Sequence, residues 1–168
     1  ARVNKREVVN NIYEKIKDNK DFTEYIISPF KTEGVDSKLS EKDIEEFKKD
    51  YIKESIRLWA KTSADHAAPS IATQLVAKEL FKVTDSYIDH FLPEDDSSLA
   101  GLLKSEEKQK KIRSLILQTQ YDLTQEYLKK SNVSELILYR GVQDIDLKQG
   151  KSKKVNMQPL SSFSVNGA

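Results

Sequence analysis

Only five glycines and four prolines interrupt 168 residues. A chain so poor in turn-making residues favours long helices over many short strands. The apolar spacing predicts where they lie. A first helix is expected from about Lys5 to Lys20, with Val9, Ile12, Tyr13 and Ile16 on one side, followed by a turn-like stretch containing Pro29 and Gly34. Ser40 then reads as an N-cap, with Glu41 and Asp43 in the first turn. An apolar stripe continues through Ile44, Phe47, Tyr51, Ser55 and Trp59.

Thr62 to His66 reads as a cap and linker. A third helix is expected from Pro69 to Phe81, with the proline placed in the first turn. A shorter helix should hold Tyr87, Ile88 and Phe91, and Asp95 to Ser98 should form a polar loop. The longest helix is expected from Ser105 to Lys130, with Ile112, Leu115, Ile116, Leu123 and Tyr127 along one face. Lys129 and Lys130 suit its C-terminal dipole, and Asn132 suits its termination.

At Leu136 the pattern changes. Leu136-Ile137-Leu138-Tyr139 is a continuous apolar run of the kind found in buried strands, and a second short strand is expected within Leu160 to Val165. Two short strands cannot bury a sheet by themselves. The chain is therefore expected to be mainly α. Residues 1–133 would form a bundle of four to five helices, and residues 134–168 the opening strands of a truncated α+β domain.

Composition narrows the function classes. The 28 basic and 27 acidic residues give a net charge of +1, which argues against a nucleic-acid partner, since such proteins carry a clustered basic excess. The absence of cysteine removes disulfides, thiolate metal sites and cysteine nucleophiles, and is compatible with a cytoplasmic or a secreted protein. No apolar run reaches the roughly 20 residues of a membrane span. His66 and His90, the only histidines, are too few for a metal site of three or four converging ligands, so no metal is expected. Glu106, Glu107 and the run Lys108, Lys110, Lys111 and Arg113 read as a solvated helix face with local ion pairs. The chain starts without an initiator methionine or a signal-peptide core, which fits a processed chain or a fragment.

Two short stretches could carry chemistry. In Leu138-Tyr139-Arg140-Gly141-Val142, an arginine sits in an apolar strand, where a guanidinium is costly without an anionic partner. Gly141 lets a ligand approach the backbone, and a phosphate would satisfy the arginine through bidentate hydrogen bonds. The plainer reading is a strand-end arginine paired with a surface carboxylate. In Pro159-Leu160-Ser161-Ser162-Phe163-Ser164, alternation puts Ser162 and Ser164 on one face of a strand, able to orient a ligand or a carboxylate. The plainer reading there is a half-exposed strand with serines out and phenylalanine in.

Taken in order, a strand bearing Tyr-Arg-Gly, a loop and a strand bearing Ser-x-Ser resemble the arginine-serine-glutamate class of mono-ADP-ribosyltransferases, which includes clostridial-type toxins and phage-associated members. The resemblance implies NAD as substrate, with Arg140, Gly141, Ser162 and Ser164 in the NAD pocket. Ser162 would also support the catalytic glutamate. Phe163 stands where that family usually has threonine. The family's Glu-x-Glu or Gln-x-Glu element is missing, because four residues follow Ser164, none is acidic, and no Glu-x-Glu occurs anywhere. The resemblance therefore implies that this chain is inactive alone and is the N-terminal part of a toxin or phage effector acting on a target protein. The rival reading is a non-enzymatic helical domain for interaction, delivery or phage structure, motivated by the length of the helical part.

Overall fold

A computed structural model describes residues 4–60, 68–83 and 98–139. Within them the chain is mainly helical: α1 (Lys5–Ile16), α2 (Lys20–Thr32), α3 (Glu41–Ala60), α4 (Ala68–Leu80), α5 (Ser98–Glu106) and α6 (Lys110–Lys130). Short 3-10 turns at Asp36–Lys38 and Glu107–Gln109 precede α3 and α6.

Helix α1 starts where Asn4 accepts the Arg6 and Glu7 amides at 3.2 and 3.4 Å, and it buries Val9, Ile12 and Ile16. The first departure from the sequence reading comes next. The turn expected around Pro29 is helix α2, which Asn19 opens by accepting the Phe22 amide at 3.0 Å. Pro29 cannot donate to the Tyr25 carbonyl one turn back. The Ser28 hydroxyl does so instead, at 2.9 Å. Gly34 (φ 71°) then ends the helix: its amide donates to Lys31 and that of Val35 to Phe30, a Schellman closure that needs the left-handed conformation. Lys82 and Asn132 (φ 51° and 54°) close α4 and α6 with the same bond pattern.

The α3 start follows the sequence reading. Ser40 Oγ accepts the Asp43 amide at 3.1 Å and Asp43 accepts the Ser40 amide at 2.9 Å, a capping box with aspartate in the usual glutamate position. The Ser40 amide first, and the Ser40 side chain second, hold the Asp43 carboxyl below its ordinary pKa. Ser40→Ala should cost about 1 kcal/mol of stability. Chemical denaturation checks this, and an unchanged midpoint would mean the cap is not formed in solution.

The α3 face turned inward includes Phe47 and Tyr51 of the expected stripe but is centred one position further on. Lys48 and Ile52 are its most buried residues, while Ile44, Phe47, Tyr51 and Ser55 are only half-buried; the Trp59 side chain lies outside the described residues. Phe47 stacks on Phe30 at 5.1 Å, and Tyr51 meets Tyr25 edge-on at 5.3 Å, which zips α2 to α3. The core gathers Val9, Ile12 and Ile16 of α1, Phe22 and Ile26 of α2, Ile52 of α3, and Ile112 and Ile116 of α6.

In the second half, α4 lies where Pro69 to Phe81 was expected, and it packs on α6, α5 and α3. The long helix expected from Ser105 is broken. Helix α5 ends at Glu106, a 3-10 turn intervenes, and α6 begins at Lys110. Ser98 opens α5 rather than closing a loop. Tyr127 is 69% exposed and so leaves the buried face that Ile112 and Ile116 occupy. The expectations for Thr62 to His66, for Tyr87, Ile88 and Phe91, and for Asp95 to Ser97 lie outside the described residues.

Residues 133–138 form neither helix nor strand, and Leu136, Ile137, Leu138 and Tyr139 are all exposed, Ile137 by 72%. Tyr139 makes an isolated β-bridge, and no buried strand over Leu136 to Tyr139 is found among the described residues. An apolar run becomes a buried strand only when another strand and a covering layer accept it, and no strand occurs among the described residues.

Candidate functional site

Arg140, Gly141, Ser162 and Ser164 lie outside the described residues, so the structure leaves their mutual placement open. It does show two buried cations, Lys48 and Arg113, of which Arg113 was expected on a solvated face.

The larger cluster is built on Arg113, only 6% exposed, in the second turn of α6. Its Nη1 donates to Thr73 Oγ1 of α4 at 2.8 Å and faces the Pro69 carbonyl at 3.5 Å. Its Nη2 forms a short ion pair with Glu106 of α5 and reaches Gln109 Oε1 at 3.3 Å. The same Gln109 oxygen accepts the Tyr51 hydroxyl of α3 at 3.0 Å. Thr73 completes the network by donating to Pro69 at 2.8 Å. Arg113 Nε is buried without a partner. Burial, then the neighbouring Tyr25, pushes the Tyr51 hydroxyl well above the usual tyrosine range. The solvated face expected over Glu106 to Arg113 is therefore corrected: Lys108 and Lys110 are exposed, but Arg113 turns inward beside Ile112.

The second cation is Lys48 on α3, 5% exposed. Its Nζ donates to the Lys17 carbonyl at 2.6 Å and to Thr23 Oγ1 at 2.8 Å, and lies 5.8 Å from the Phe22 ring centre. Burial lowers its pKa, against an opposing pull from Asp18. It satisfies an end carbonyl of α1 and clamps the α1–α2 junction onto α3.

Chemically, both clusters are structural. Arg113 holds α3, α4, α5 and α6 together, and the donors of Lys48 point at a backbone carbonyl and a hydroxyl. The signal that could have found them was register: Lys48 stands one helical turn before Ile52, and Arg113 one residue after Ile112, both on inward-facing stretches.

Among the described residues no three His, Cys, Asp or Glu side chains converge as metal ligands, and no helix is long and apolar enough to cross a membrane. Comparison with protein-family models, curated proteins and solved structures returned no significant match.

Proposed function

We propose that this chain is the mainly helical N-terminal part of an NAD-dependent protein ADP-ribosyltransferase. The observation that carries the reading is the succession Tyr139-Arg140-Gly141 and then Ser162-Phe163-Ser164. Two structural features support it. Helix α6 closes at Asn132, so the bundle is finished before the motifs begin. The apolar residues Leu136 to Tyr139 stand exposed, a run suited to pairing in a sheet.

In this reading Arg140 grips the NAD pyrophosphate, Gly141 allows its close approach, and Ser162 and Ser164 order the pocket. The C1′–N bond to nicotinamide breaks and its electron pair leaves with nicotinamide. A nucleophile of the target protein bonds to C1′ and gives up its proton. The glutamate that would stabilise the oxocarbenium-like sugar is contributed by sequence outside this chain. No metal takes part.

The test is NAD-dependent labelling of target protein by the product of the whole gene. Arg140→Ala should cut labelling by on the order of a hundredfold or more, as loss of a charge-assisted phosphate contact together with correct positioning would. Its circular dichroism should be unchanged. Labelling at the unsubstituted level in Arg140→Ala would remove the assignment.

A second reading, a helical interaction or delivery domain without enzymatic activity, draws on the structural role of both buried cations. It becomes the better one if the whole gene product folds yet neither transfers ADP-ribose nor hydrolyses NAD.

A further inference from the structure

Helix α5 is attached to the bundle differently from its neighbours. None of its residues from Ala100 to Glu106 is buried, and Leu102 is 56% exposed. It leans on α4 and on the 3-10 turn that follows it. Beneath it lies a cavity of about 80 Å³ whose walls include Leu75 and Val76 of α4, Leu103 and Glu106 of α5, and Lys110 and Arg113 of α6. The strongest polar tie across this cavity is the Glu106–Arg113 pair, whose side chains are 15% and 6% exposed.

These features divide the two partners unequally. Arg113 keeps Thr73 and Gln109 whether or not Glu106 is present. Glu106 has its guanidinium partner only while α5 is down. Lifting α5 breaks the Glu106–Arg113 ion pair, returns both charges to water and lets water reach the orphaned Arg113 Nε. Residues Ala100 to Glu106 are half-buried or exposed, so lifting α5 costs less than unfolding the core. The 3-10 turn Glu107–Gln109 interrupts the helical ladder and supplies the pivot.

We infer that α5 is a hinged cover over the cavity between α4 and α6, pivoting on Glu107–Gln109 and latched by Glu106 on Arg113. The inference is independent of the transferase reading, because every residue in it belongs to the helical bundle.

The chain contains no cysteine, so a single thiol can report the opening. Val76, 6% exposed on the cavity wall, is the position to use. In Val76→Cys, the opening constant from thiol labelling is compared with that from the slowest-exchanging α1 and α3 amides of the same protein. The thiol should open at least on the order of tenfold more often than those amides. Adding Glu106→Gln should raise thiol opening by roughly another tenfold, with the slowest amides accelerated by no more than the thiol because the same pair is also lost on global unfolding. Equal opening constants would overturn the hinge, since Val76 would then be reached only by global unfolding. Glu106→Gln leaving thiol labelling unchanged, or accelerating the amides but not the thiol, would overturn the latch.

Discussion

Phe22→Ala is expected to remove about 3–5 kcal/mol from the stability of the helical bundle. Phe22 is fully buried at the α1–α2 junction. Its ring faces Tyr51 at 6.0 Å and lies 5.8 Å from the Lys48 ammonium. Truncation would therefore leave a cavity in the core and strip one of the favourable contacts of a buried cation. Domains of this size are stable by about 5–15 kcal/mol, so the loss is a large share of the total. Urea denaturation followed at 222 nm should show a lower midpoint with an unchanged slope. A loss under about 1 kcal/mol would mean that α1, α2 and α3 do not meet around this ring. Phe22→Leu keeps most of the volume and should cost clearly less.

The second large effect is expected in alkali. Burial raises the pKa of Tyr13, Tyr25 and Tyr51 above the ordinary value of 10.0. The folded state therefore holds these three protons after the unfolded state has released them. Their stabilisation is complete below pH ~10 and is lost as pH climbs toward the folded values. Lys48 acts in the opposite direction: its folded pKa lies below 10.5, so stability rises with pH between the two values. One lysine against three tyrosines leaves a net loss. Helicity should collapse above pH ~10, with tyrosinate absorbance appearing in the same transition. Tyr51→Phe should move that transition to higher pH, even though it sacrifices the bond to Gln109 and costs on the order of 1 kcal/mol at neutral pH. The account fails if all the tyrosines titrate while the helices remain intact.

The sequence was most legible where structure is set by neighbours a few residues apart. The Ser40 cap, the proline in the first turn of α4 and the Asn132 stop were readable because each depends on a bond spanning only a few residues. Helix α2 was not, because Pro29 reads as a breaker and the Ser28 hydroxyl that replaces the missing donor leaves no mark in composition. The break between α5 and α6 was hidden for another reason. The residues there all favour helix, and only the reach of Arg113 to Thr73 on α4 and to Glu106 on α5 shows what the interruption accommodates. Arg113 was misjudged and Lys48 went unread because periodicity treats charge as solvent-facing, whereas their burial rests on partners far along the chain. For Leu136 to Tyr139 strand character is local, but burial needs a second strand, and the described residues show only a bridge at Tyr139. For Arg140, Gly141, Ser162 and Ser164 the sequence remains the whole basis of the reading.

The place of α6 in the core has a consequence for how the protein is made. Ile112 and Ile116 fill the space against α1 and α2, and Lys111 and Glu126 pair with Asp21 and Lys15 at its margin. Helix α1 is thus completed by α6, which is synthesised much later. Until α6 emerges, Ile12, Ile16 and Phe22 have no finished core to enter, and the nascent α1–α3 segment carries an open apolar groove. Synthesis at about 5–20 residues per second leaves that groove uncovered for seconds, ample time for a chaperone to occupy it.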